Sequence, residues 1–283
     1  MKKEMIRKLL ATSVLACAAS VAQAEPIDAW FYTIELKWTD WEFTVGASDE
    51  HTLAGTKHTA DTLSWGYDYA TIPDTQIASI GTPSSRTRSS LVITQPTGNG
   101  KIDTNSPDSV LVNIFQHTNN PIYYESTSLN YAQLTLTVKL GTADISNVYS
   151  FTQDFQVFFV ETPNTSEMCG WGPCANDIFA ILAVSPTLDD FSRTFGFGGY
   201  DYTFNYFETT DYLNTLSMAA CAEAKVPGGN ACYGFTTPER EITQVKFAFS
   251  ITAVPEPETY AMLLAGLGMI GVVVRRRRDM LRK

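Results

Sequence analysis

The chain has 283 residues, 44% of them hydrophobic, 12% aromatic and 18% charged, with a formal net charge of −10. This balance excludes a disordered or collagen-like chain. Apolar runs of membrane-active length occur only at the two ends, which excludes a polytopic membrane protein.

Residues 1–24 read as a cleavable signal peptide. Lys2, Lys3, Arg7 and Lys8 form a basic start, and Leu9 through Ala19 form a short apolar run. Ala22-Gln23-Ala24 supplies the small-x-small pattern that signal peptidase needs, placing the cut before Glu25. The run is too short for a stable span. A lipoprotein-type cut at Cys17 fits less well, because Leu15 is a poor residue just upstream of the small one.

Residues 25–252 form the exported body. They hold ten of the 20 basic residues and 26 of the 30 acidic ones, a formal charge of −16. Such a body is repelled by nucleic acid, which is therefore not an expected partner. Solubility is the default reason for the acidity.

Period-two alternation dominates the body. Trp30, Tyr32, Ile34, Leu36 and Trp38 fall on one face, with Phe31, Thr33, Glu35 and Lys37 on the other. The pattern returns at Leu134, Leu136, Val138 and Leu140, at Tyr149 through Phe159, and at Val245, Phe247, Phe249 and Ile251. Shorter strands are predicted over 90–94, 109–115, 178–184 and 201–207. Residues 42–88 and 161–200, rich in Thr, Ser, Gly and Asp, are expected to form long loops. No stretch of the body predicts an amphipathic helix with caps. The expected fold is all-β, an antiparallel β-sandwich, with one domain simpler than two.

Gln116-His117-Thr118-Asn119-Asn120-Pro121-Ile122 closes one strand, and Asn-Pro marks a turn. His117, Asn119 and Asn120 suit a polar or metal site. Turn-fixing is the commoner role, since Asn side chains mimic backbone and a His can hold a neighbouring loop.

Four cysteines remain after the signal: Cys169, Cys174, Cys221 and Cys232. An even count in an oxidising compartment favours disulfides, and the local pairs Cys169–Cys174 and Cys221–Cys232 lead the three pairings. Their spacings match no usual zinc knuckle.

The usual catalytic signatures are absent: no Gly-x-Ser-x-Gly, no His-Glu-x-x-His and no P-loop. Carboxylate pairs are too numerous to argue from, because sequence spacing does not give distance. Asp189, Asp190, Asp201, Glu208 and Asp211 offer oxygen atoms but no calcium-loop pattern. No metal, cofactor or catalytic residue is therefore assigned. Trp41, Trp65 and Trp171, placed in turns or loops, are candidate glycan contacts, although strand aromatics more often belong to a core.

Residues 253–283 carry an ordered triplet. Val254-Pro255-Glu256-Pro257 precedes residues 260–274, an uncharged apolar run, and Arg275-Arg276-Arg277-Arg278 follow at once. As a helix the run spans about 22 Å, short of the roughly 30 Å hydrocarbon core, and snorkelling arginines can make up the difference. The arginine cluster predicts a transmembrane helix with its C-terminus in the cytoplasm, the orientation the signal peptide also gives. Pro255 and Pro257 favour an extended approach, suited to a protease that binds an open strand or to a stiff spacer.

This triplet resembles the PEP-CTERM sorting signal of exopolysaccharide-producing Gram-negative bacteria. Such tails are also described as an ice-binding-protein C-terminal domain, a label that says nothing about ice binding by the body. The resemblance implies removal of the tail by exosortase. It further implies passage from an inner-membrane-anchored periplasmic form to the cell surface or extracellular matrix. The His117 segment, together with Ser64-Trp65-Gly66, is similar to the signature of the THxN family of PEP-CTERM proteins, with Gln116 in place of its Thr. The expected function is a non-catalytic structural or adhesive role in the polysaccharide matrix. The alternative is a glycan-binding module or glycan-processing enzyme exported by the same route.

Overall fold

The computed structural model of the chain describes residues 25–44, 56–66, 88–122, 127–163, 165, 167–182, 190–229, 232–255 and 264–275. The signal-peptide residues Ala22 and Ala24 lie outside the described residues, as do Glu256, Pro257 and Arg276–Arg278.

In chain order the strands are β1 (Ala29–Thr44), β2 (Lys57–His58), β3 (Thr62–Trp65), β4 (Ser89–Thr94), β5 (Asn99–Asp103), β6 (Val110–Thr118), β7 (Ser128–Gly141) and β8 (Tyr149–Val160). They continue as β9 (Met168–Cys169), β10 (Gly172–Pro173), β11 (Asp177–Leu182), β12 (Asp190–Phe197), β13 (Tyr200–Glu208), β14 (Asn214–Thr215), β15 (Cys232–Thr237) and β16 (Ile242–Pro255). Two seven-stranded antiparallel sheets result. One runs β14-β15-β11-β8-β7-β1-β5 and the other β12-β13-β16-β6-β4-β3-β2. The all-β expectation holds.

Alternation explains the layering. Trp30, Tyr32, Ile34, Leu36 and Trp38 of β1 point inward, while Phe31 and Thr33 face solvent. Leu134, Leu136, Val138 and Leu140 do the same on β7, and Val245, Phe247, Phe249 and Ile251 on β16. The inner faces meet through aromatic edges: Trp30 on Tyr202 at 4.8 Å, Tyr32 on Phe249 at 4.7 Å, and Trp38 on Phe115 at 5.7 Å. Such edge-to-face contacts add to the area term of burial.

Three regions differ from expectation. The segments 42–88 and 161–200 are not wholly loops, for besides the expected strand β11 they contribute β2, β3, β9, β10 and β12. Strand β3 is too short for periodicity to register, yet it buries Leu63 and Trp65. In β12 the buried Phe191 and Phe195 are separated by Ser192, Arg193 and Thr194, which dilutes the signal. Its hairpin to β13 turns through Gly198 and Gly199, both at positive φ, as a tight two-residue turn requires.

The third difference is a six-residue helix, α1 (Met218–Glu223), capped by Ser217, whose Oγ accepts from Ala220 N at 3.1 Å. At under two turns it was invisible to a periodicity argument. It buries Ala220 and Cys221 in a satellite cluster with Ile178, Ala180, Ala224, Val226 and Cys232.

Candidate functional site

His117 lies near the end of β6, at the register position of Thr243 on β16 and of Leu91 on β4. Across the core, Asp177 opens β11 opposite Thr237 of β15. Both side chains are completely buried, and His117 Nε2 stands 3.7 Å from Asp177 Oδ2. Trp65 at the end of β3 stacks over the imidazole, with ring centroids 6.1 Å apart and planes 15° apart. Its Nε1 donates to Glu161 Oε2 at 2.6 Å, just beyond the end of β8. Phe159 meets both rings edge-on. Asp177 Oδ1 accepts from Thr162 N at 3.0 Å and from Thr162 Oγ1 at 3.3 Å. His117 and Trp65 come from one sheet, and Asp177 and Glu161 from the other.

Burial sets the charge state. Desolvation pushes Glu161 up to about 8, against the relief given by its bond from Trp65. Asp177 is held well above the carboxylate range by burial and then by the neighbouring Glu161. Glu239, beyond β15, is also raised by burial, with Arg240 opposing the rise. Burial lowers His117 to about 3. Burial therefore opposes the charged form on both partners of the His117–Asp177 contact. A buried ion pair at 3.7 Å with few further donors would not offset its desolvation.

The neighbouring asparagines close the turn. Asn119 Nδ2 donates to Thr237 O at 2.9 Å and its backbone N to Glu241 O at 3.0 Å. Asn120 Nδ2 donates to Arg88 O at 2.9 Å, and its backbone N to Ser89 Oγ at 3.1 Å. Gly66 takes φ +82°, and a Cβ there would lie 2.4 Å from Ile122 Cγ2. The Ser64-Trp65-Gly66 segment and the His117–Ile122 segment, with Pro121 half-buried, are thus in direct contact. This arrangement is a polar lock between the sheets. His117, Asp177 and Trp65 present no surface to solvent through which a substrate could enter.

Among the described residues, no group of three or more His, Cys, Asp or Glu is arranged to hold a metal. Glu161, Asp177 and Glu239 were not legible as members of a site. Glu161 and Asp177 abut the ends of the apolar runs 157–160 and 178–182, and in sequence they look like solvated loop acids.

The other candidates are dispersed. Trp65 is fully buried, so its ring serves the core and is not exposed to a sugar. Trp171 is half-buried against the satellite cluster. Trp41 is half-buried in β1, its ring 4.7 Å from that of His58. Both local disulfides form, Cys169–Cys174 and Cys221–Cys232. The first pins the β9–β10 hairpin, and the second ties α1 to β15.

At the C-terminal end, β16 runs without a spacer into the predicted sorting segment. Val254 pairs with Asp201 and Pro255 with Tyr200. Glu25, the first described residue, is exposed. Residues 264–275 form a second helix, α2, exposing Leu264, Leu267, Met269 and Ile270. Among the described residues no helix is long and apolar enough to cross a membrane.

No curated protein matches the chain. A family model described as the PEP-CTERM protein-sorting motif matches residues 253–278. The match spans the proline-bearing junction, the apolar segment and the arginine cluster. The chain therefore carries a PEP-CTERM protein-sorting motif, the mark of an exported protein directed to exosortase.

Proposed function

We propose that the body is a non-catalytic structural or adhesive component of the extracellular polysaccharide matrix, a disulfide-bearing β-sandwich delivered by its tail. The signal peptide exports it, and residues 260–274 hold it transiently in the inner membrane with Arg275–Arg278 on the cytoplasmic side. Exosortase then removes the tail. The observation that carries this reading is the sorting motif at residues 253–278, attached directly to the last strand of a folded body. Support for a non-enzymatic role comes from the His117 cluster, in which His117, Asp177 and Trp65 are completely buried between the two sheets.

The test is expression of the full chain in a host carrying exosortase and in an isogenic strain lacking it, followed by intact mass and fractionation. Tail loss and release from the inner membrane only with the enzyme is the expected result. Retention of an intact tail in both strains would make the segment a permanent anchor and remove the matrix role. A second reading, glycan binding, rests on Trp41 beside His58. It requires W41A to weaken retention of the released body on a polysaccharide column.

A further inference from the structure

The last strand and the sorting motif overlap. The matched segment begins at residue 253, whereas β16 continues to Pro255. On one side β16 pairs with β13 over nine consecutive positions, from Glu208↔Phe247 to Tyr200↔Pro255. On the other side β6 pairs with it only as far as Phe249. Beyond that point Asn105 takes over. Its backbone N donates to Ile251 O at 2.8 Å, and its Oδ1 accepts from Ala253 N at 2.8 Å. Asn105 is held at φ +57°, a left-handed conformation that Asn tolerates better than most residues. Tyr200, opposite Pro255, is itself buried. Both edges of the strand are thus occupied up to the first residues of the motif.

A protease binds its substrate as an extended strand, using the same backbone groups that a sheet uses. A segment paired on both sides becomes available only by local opening, and its cleavage then follows the population of the opened form. We propose that the folded sheet fixes the N-terminal limit of tail removal. Bonds up to Val254–Pro255 are withheld by β13 and Asn105, and the mature body keeps Val254 and Pro255 as the end of β16. The inference rests on the sorting reading for the identity of the enzyme, but the protection itself belongs to the fold.

Two arms separate these. In the first, the purified full chain is treated with proteinase K, and the C-terminus of the surviving body is read by intact mass. In the second, the same mass is read after co-expression with exosortase. The expected product in both arms ends at Pro255 or later. A body ending before Pro255 in either arm overturns the proposal. Absence of any exosortase-dependent product defeats the sorting reading alone, and the proteinase arm still decides the protection. The variant N105G keeps the left-handed backbone and removes the Oδ1 acceptor. It should raise the fraction of proteinase K products ending before Pro255 several-fold, while an unchanged fraction would overturn the role of Asn105.

Discussion

His117, Asp177 and Glu161 bring three titratable side chains into one water-poor space, and burial opposes the charged form of each. Two opposite pH dependences follow. Glu161 and Asp177 have folded pKa values raised above their ordinary ones, so their contribution is full in acid and is lost as pH rises, for Glu161 through about 8. His117 is shifted the other way, to about 3, so its contribution is full above its ordinary 6.5 and is lost as pH falls toward 3. Above neutrality the histidine is silent and the carboxyls set the slope. Melting temperature should therefore fall as pH rises from about 6.5 to about 8. E161Q keeps an acceptor for Trp65 Nε1 and removes one titrating group, and it also relieves the neighbour that raises Asp177. The alkaline fall should shrink in that variant. An alkaline slope as steep as in the parent would show that the cluster does not govern it.

At the scale of elements, the two disulfides brace a patch that the main core does not reach. Cys221 and Cys232 are 11 residues apart and tie α1 to the strand beside β11, sealing Ile178 and Ala180 beneath it. Cys169 and Cys174, five apart, close only the β9–β10 hairpin. Closing a loop near this length is worth about 2–3 kcal/mol in the chain-entropy model, and a shorter loop gains less. The double variant C221A/C232A should lose about that much by urea unfolding, more than C169A/C174A. Equal losses would mean the satellite cluster does not depend on its tie. The same elements mark what the sequence could convey. Strands β1, β7, β8 and β16 were readable because each buries three or more alternating large side chains. Helix α1 and strands β3 and β12 were not, since their burial is decided by partners far along the chain. The polar lock escaped for the same reason: His117 stood out as a motif residue, whereas the acids facing it are recognised only once the sheets close over them.

At the scale of the whole molecule, charge and apolar surface are segregated. Residues 25–252 carry a formal −16, while the basic residues of the tail follow its apolar segment. Helix α2 leaves Leu264, Leu267, Met269, Ile270, Val272, Val273 and Val274 exposed, a surface that water does not favour. Its 12 described residues span about 18 Å. Membrane affinity should thus reside in the tail alone, and the body should oppose it wherever the lipid is anionic. Flotation with vesicles containing phosphatidylserine tests this division. The full chain should rise with the vesicles, and the body released by tail removal should stay in the aqueous fraction. Lowering the salt lengthens the reach of the repulsion, so it should drive the body further from anionic vesicles and leave neutral ones unaffected. A released body that floats with anionic vesicles, and does so more strongly at low salt, would place a basic membrane-binding surface on the body. That result would make the tail a sorting address rather than the source of membrane affinity.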